Sequence, residues 1–87
     1  MTRYEQNLAF RLRSVGRRAF LIRANRAIEV NEVGEEIWRR LGEAASQDEI
    51  VAQLKATYDA PVDELEKDVT EFLEILLTNG AIETSSA

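Results

Sequence analysis

The hydrophobic period changes from two to about 3.6 at Asn31, and that switch restricts the chain to strands first and helices afterwards. Before it, Leu8, Phe10 and Leu12 alternate with Ala9, Arg11 and Arg13, the pattern of a half-buried strand over 8–14. Ser14 to Arg17 supplies a turn in which Gly16 can take a positive φ. Arg18 to Arg23 follows as a second run of strand formers and makes a hairpin with the first. Asn25 and Arg26 break the pattern, and Ala27 to Val30 reads as a short third strand whose length suits a sheet edge.

After the switch, Asn31 is a good N-cap, Glu32, Glu35 and Glu36 lie where the helix dipole favours anions, and Val33, Ile37, Trp38 and Leu41 share one face up to Gly42. Ser46 with Glu49 three residues on is a capping box for a second helix, whose face is Ile50, Val51, Leu54 and Tyr58. Pro61 suits the first position of a third helix carrying Val62, Leu65, Val69, Leu73 and Leu76 to a glycine cap at Gly80. Ala81 to Glu83 adds a short extended segment, and Thr84 to Ala87 is expected to fray. The order predicts an α+β fold: a winged helix-turn-helix in which a three-stranded antiparallel sheet is followed by three helices. It forms one domain over 1–87, with its folded core at about 8–83.

Composition narrows the chemistry. The 87 residues contain no Cys and no His, so thiolate sites, disulfides and the side chain best suited to proton transfer near neutral pH are all missing. No glycine-rich phosphate loop is present, and none of the serines has a His partner. The expectation is a protein that is not an enzyme, with no catalytic residues, no metal and no cofactor. No leader-like or membrane-spanning run occurs, so no membrane partner and a cytoplasmic location are expected. Charge is split: residues 1–30 carry seven Arg against two Glu, while residues 31–87 carry four cations against fourteen acids. The third helix presents Asp63, Glu64, Glu66, Asp68, Glu71 and Glu74 with Lys67 as its only cation, which disfavours a phosphate backbone and predicts no nucleic-acid partner. A DNA-binding winged-helix regulator and a structural or dimerising subunit are the alternatives.

On the third helix Phe72 and Ile75 flank the core stripe, making its apolar surface wider than packing on a small sheet requires. If the strand Ala27 to Val30 is an edge beside that helix, an extended peptide can add to the sheet there, with alternate side chains entering the groove. Backbone bonds bring only about 1 kcal/mol each. Two or three apolar anchors then decide affinity, giving roughly micromolar binding at about −8 kcal/mol.

Four segments together resemble the PqqD family: Ile28 to Trp38 (Ile-Glu-Val-Asn-Glu-Val-Gly-Glu-Glu-Ile-Trp), Asp48 to Leu54 (Asp-Glu-Ile-Val-Ala-Gln-Leu), Tyr58 to Pro61 (Tyr-Asp-Ala-Pro), and Asp68 to Leu76 (Asp-Val-Thr-Glu-Phe-Leu-Glu-Ile-Leu) closing on Gly80-Ala-Ile-Glu83. That family includes the peptide chaperone of pyrroloquinoline quinone synthesis and the precursor-recognition elements of ribosomally made, post-translationally modified peptides. The resemblance implies a stand-alone protein that binds the leader segment of a precursor peptide and presents it to a modifying enzyme, whether a radical SAM enzyme, a protease or a cyclase. It also implies a site at Arg26, Ala27, Ile28, Glu29 and Val30 on the third strand and at Leu65, Asp68, Val69, Phe72 and Ile75 on the third helix. The protein is expected as a monomer or weak homodimer. Quinone-pathway members often place an Asp-Gly pair after the first helix, whereas this chain has Leu41-Gly42-Glu43-Ala44-Ala45, and Trp38 is reminiscent of recognition elements from other peptide pathways.

Overall fold

The computed structural model describes residues 2–86, with side chains through Ser85. Its elements are β1 (Thr2–Gln6), β2 (Arg11–Val15), β3 (Arg18–Arg23), β4 (Arg26–Val30), α1 (Glu32–Arg40), α2 (Gln47–Thr57), α3 (Val62–Thr78) and β5 (Ile82–Ser86). Strands β2, β3 and β4 form an antiparallel sheet in that order, and β1 pairs with β5 in a separate antiparallel ribbon. The α+β winged arrangement is therefore present, with a ribbon the sequence pattern did not reveal.

One face of the three-stranded sheet packs on the helices. Leu12, Leu21 and Ile28 lie in one cross-strand row, and Ala19 pairs with Val30 beside it. These residues meet Ile37, Trp38 and Leu41 of the first helical segment, Ile50, Val51 and Leu54 of α2, and Leu65, Val69, Leu73 and Leu76 of α3 in one contiguous core. Val62, grouped with that stripe from its spacing, is instead exposed because it opens α3 at the surface.

The helix ends follow their local chemistry. The Asn31 side chain accepts from the Gly34 N–H at 2.8 Å, so β4 passes into α1 with a single residue between them. Ser46 and Glu49 close the capping box of α2, and those hydrogen bonds, the Ser46 backbone N–H first, hold the Glu49 carboxyl below its ordinary pKa. Gly80, at φ +73°, ends α3 in a Schellman motif: its N–H donates to the Leu77 carbonyl and the Ala81 N–H to that of Leu76. One boundary departs from expectation: Pro61 is the N-cap of α3, one residue before the helix, whereas α1 ends with Leu41 as its C-cap and Gly42 directly after it, as expected.

The N-terminal half of the expected first strand is not a strand. The Asn7 side chain accepts from the Ala9 N–H and its carbonyl accepts from the Phe10 N–H, bending the chain so that Leu8 is 84% exposed while Phe10 is buried. Thr84 and Ser85, expected to fray, pair with Tyr4 and Arg3 in the ribbon. Ala87 lies outside the described residues. β1 also bonds to the turn between α1 and α2, through Tyr4 and Ala45 exchanging backbone bonds at 2.7 and 3.0 Å. Arg3 adds a bond to the Ala44 carbonyl and an ion pair with Glu49 at 2.8 Å.

Both hairpins turn through two residues with the first in the left-handed region: Gly16 at φ +63° and Ala24 at φ +51°. Glycine occupies that conformation freely, whereas alanine pays roughly 1–2 kcal/mol. Gly16→Ala is expected to destabilise the fold by about 1 kcal/mol and Ala24→Gly to stabilise it by a similar amount, read as opposite shifts in Tm of about 4–8 °C each. No atom lies within 4 Å of a Cβ built on Gly16, so that contrast isolates backbone strain from crowding.

Candidate functional site

β4 is an edge strand, its partner β3 lying on one side only. With two residues between them, Arg23 and Arg26 close the hairpin as a hydrogen-bonded pair, and bonding alternates from there. Arg26, Ile28 and Val30 thus spend their backbone groups on β3, while the N–H and C=O groups of Ala27 and Glu29 point outward from the sheet. Side chains divide in the same rhythm: Ile28 and Val30 turn toward the helices, Ala27 and Glu29 away from them. Glu29 is held by a two-pronged pair with Arg18 at 2.7 and 2.8 Å, which lowers the pKa of its carboxyl through the Arg18 hydrogen bonds.

Beside the far end of β4 lies a cleft of about 230 Å³ between α1 and α3, lined by Asn31, Val33, Gly34, Ile37, Asp68, Glu71, Phe72 and Ile75. Gly34 lets strand, helix and ring approach closely at this corner. A Cβ at that position would stand 3.2 Å from two ring carbons of Phe72 and 3.2 Å from the Val30 Cβ, so any larger residue makes the ring or the strand give by a few tenths of an ångström where strand becomes helix. A second hollow shares Glu71 and Ile75 with the first and runs on past Glu74 and Thr78 to Asn79. A third shares Asn79 and reaches Phe10, Arg23, Ala24, Asn25 and Arg26 at the β3–β4 turn. Adjoining through these shared residues, the three hollows form a track along α3 from the start of α1 to that turn.

The residues expected at the site fall into two sets. Arg26, Ala27, Glu29 and Asp68 are exposed, Ile75 is 46% exposed, and Ile28 and Phe72 are half-buried. Val30, Leu65 and Val69 are buried at 6%, 3% and 0%, so they hold the strand and helix in place and offer no surface. Sequence reasoning did not single out Asn31, Val33, Gly34 and Ile37 for this cleft. Gly34 carried a signal, since a glycine inside a helix costs about 1 kcal/mol against alanine and calls for a packing reason.

The winged-helix frame thus carries an open sheet edge at β4 and, where that strand runs into α1, a cleft with apolar and acidic lining. The family profile of coenzyme PQQ synthesis protein D (PqqD) matches residues 10–82, and the chain belongs to that family. Among solved structures, it is similar to TbiB1 in complex with the TbiA(beta) leader peptide, with a TM-score of 0.76, 24% identity, and coverage of 95% of this chain and 98% of that one. No curated protein matches the sequence. Among the described residues, no helix is long and apolar enough to cross a membrane.

Gly34→Ala tests the corner. The gain in helix propensity offsets the crowding, so Tm is expected to stay within about 5 °C of the parent. The Phe72 ring resonances shift as the ring is pushed outward; unmoved resonances contradict the packing described.

Proposed function

We propose that this protein binds the leader segment of a ribosomally made precursor peptide by strand addition to β4 and presents it to a modifying enzyme that carries out the chemistry. The observation that carries this is the pairing of two features on neighbouring elements: unspent backbone groups at Ala27 and Glu29, and a cleft lined by Phe72 and Ile75 where β4 runs into α1. Family membership and the likeness of the fold to TbiB1 support the same reading. The protein contributes binding and position. A held leader raises the local concentration of the attached core peptide at the enzyme, which is where the gain in rate arises.

A winged helix also invites comparison with DNA readers. α3 presents exposed Asp63, Glu64, Glu66, Asp68, Glu71 and Glu74, and like charge of that density repels a phosphate backbone.

Proline substitution separates the edge from the ladder. Ala27→Pro removes a donor that faces outward, a change edge strands accept, whereas Ile28→Pro removes a bond to β3 and unfolds the sheet. Against peptides selected from a displayed random dodecapeptide library, Ala27→Pro is expected to lose about five- to tenfold in affinity with its fold retained. Ser14→Pro, whose N–H faces the opposite sheet edge, leaves affinity unchanged. Phe72→Ala weakens binding by about 2 kcal/mol if the ring anchors the guest. Equal affinities for Ala27→Pro and Ser14→Pro overturn the proposal.

A further inference from the structure

The track along α3 has opposite charges at its two ends. At the α1 end, Asp68 and Glu71 rim the cleft over the apolar Val33, Ile37 and Phe72, and Glu74 follows along the helix. At the turn end stand Arg23 and Arg26, with the amides Asn25 and Asn79 lining the same hollow. None of these five charged side chains takes part in an ion pair among the described residues, whereas Arg3, Arg18, Arg39 and Arg40 all do. Arg11, Arg13 and Arg17 are likewise without an ion pair among the described residues, but the charged side chains that line the three hollows are these five, with Arg23 also lying over the Phe10 ring at 5.9 Å.

Resting on the strand-addition reading, we infer that the guest segment carries a cationic side chain with an apolar stem, Lys or Arg, followed four residues later by Asp or Glu, with an apolar residue midway. The spacing comes from the strand. Side chains opposite Val30, Ile28 and Arg26 all turn toward the helix side, and Val30 lies about 13 Å from Arg26 along β4. The order comes from polarity. An antiparallel guest, the more stable pairing, runs from the Val30 end to the Arg26 end, so it meets Asp68 and Glu71 first and the arginines last. A long cationic side chain suits the first position because its methylene stem lies on Phe72 and Ile75 while its head reaches the carboxylates. A small carboxylate suits the last, where arginine can grip it with two parallel bonds. Outward-facing guest residues, opposite Ala27 and Glu29, are left unconstrained.

The test uses the selected dodecapeptides on the folded protein, with the amide resonances of Ala27 and Glu29 as the reporter of edge occupancy. Peptides that shift those amides are expected to show the cation-to-acid order, and exchanging the two charged positions lowers their affinity on the order of tenfold, because two attractive contacts become two repulsive ones. In the variant Arg23→Glu/Arg26→Glu, both sites being exposed, the preference at the last position turns from acidic to basic while the first is unchanged. In Glu71→Lys the preference at the first position weakens and the last is unchanged. Binders that shift the amides yet show no charge order overturn this inference and leave strand addition standing. Binders that leave the amides unmoved, or a selection that yields none, overturn both.

Discussion

The corner where β4 becomes α1 sets the geometry of everything near it. Val30 is buried, Asn31 caps the helix with its own side chain, and Gly34 lies against Val30 and Phe72 at contacts of 3.2 Å. Because no loop intervenes, the direction of the edge strand and the axis of α1 are fixed to one another. Phe72, docked in that corner, fixes α3 to both. An edge strand is a hazard in most sheets, since its unspent backbone groups pair with whatever chain arrives. Here the cleft between α1 and α3 lies where that edge strand ends, so in the proposed complex the guest is read by side chains as well as backbone.

The terminal ribbon ties the two helices of that corner near their C-terminal ends. β1 and β5 join residues from opposite ends of the chain, and β1 then bonds to Ala44 and Ala45 in the turn between α1 and α2. Gln6 reaches the Trp38 carbonyl at 2.6 Å and Asn7 the Gly80 carbonyl at 2.9 Å, so the ends of α1 and α3 are each tied to the ribbon. The helices that wall the cleft are thereby held at their far ends, leaving the cleft itself free of internal ties.

Much of this was legible from the residues. The change of period at Asn31, the box at Ser46 and Glu49, and the glycine cap at Gly80 each act within a few positions, so the sequence carries them whole. The ribbon did not read out because Thr2 to Gln6 is short and mostly polar, and its pairing partner lies some eighty positions away. Leu8 misled for a related reason: the alternation with Phe10 and Leu12 was present, but a side-chain bond from Asn7 bends the backbone before the strand begins. At the candidate site, the strand and the flank Phe72 and Ile75 were visible as an edge and a surplus apolar arc. The α1 wall was not, because helical spacing shows which residues share a face and says nothing of which neighbouring helix leaves part of that face uncovered.

The central claim is that the outer edge of β4 is vacant in the free protein and filled in the complex. Residue-resolved amide hydrogen exchange addresses it directly. In the free protein Ile28 and Val30 exchange slowly while Ala27 and Glu29 exchange near the solvent-limited rate, and a bound peptide slows those two specifically. Slow exchange at Ala27 and Glu29 without any peptide, or exchange there that a saturating peptide leaves unchanged, contradicts the account.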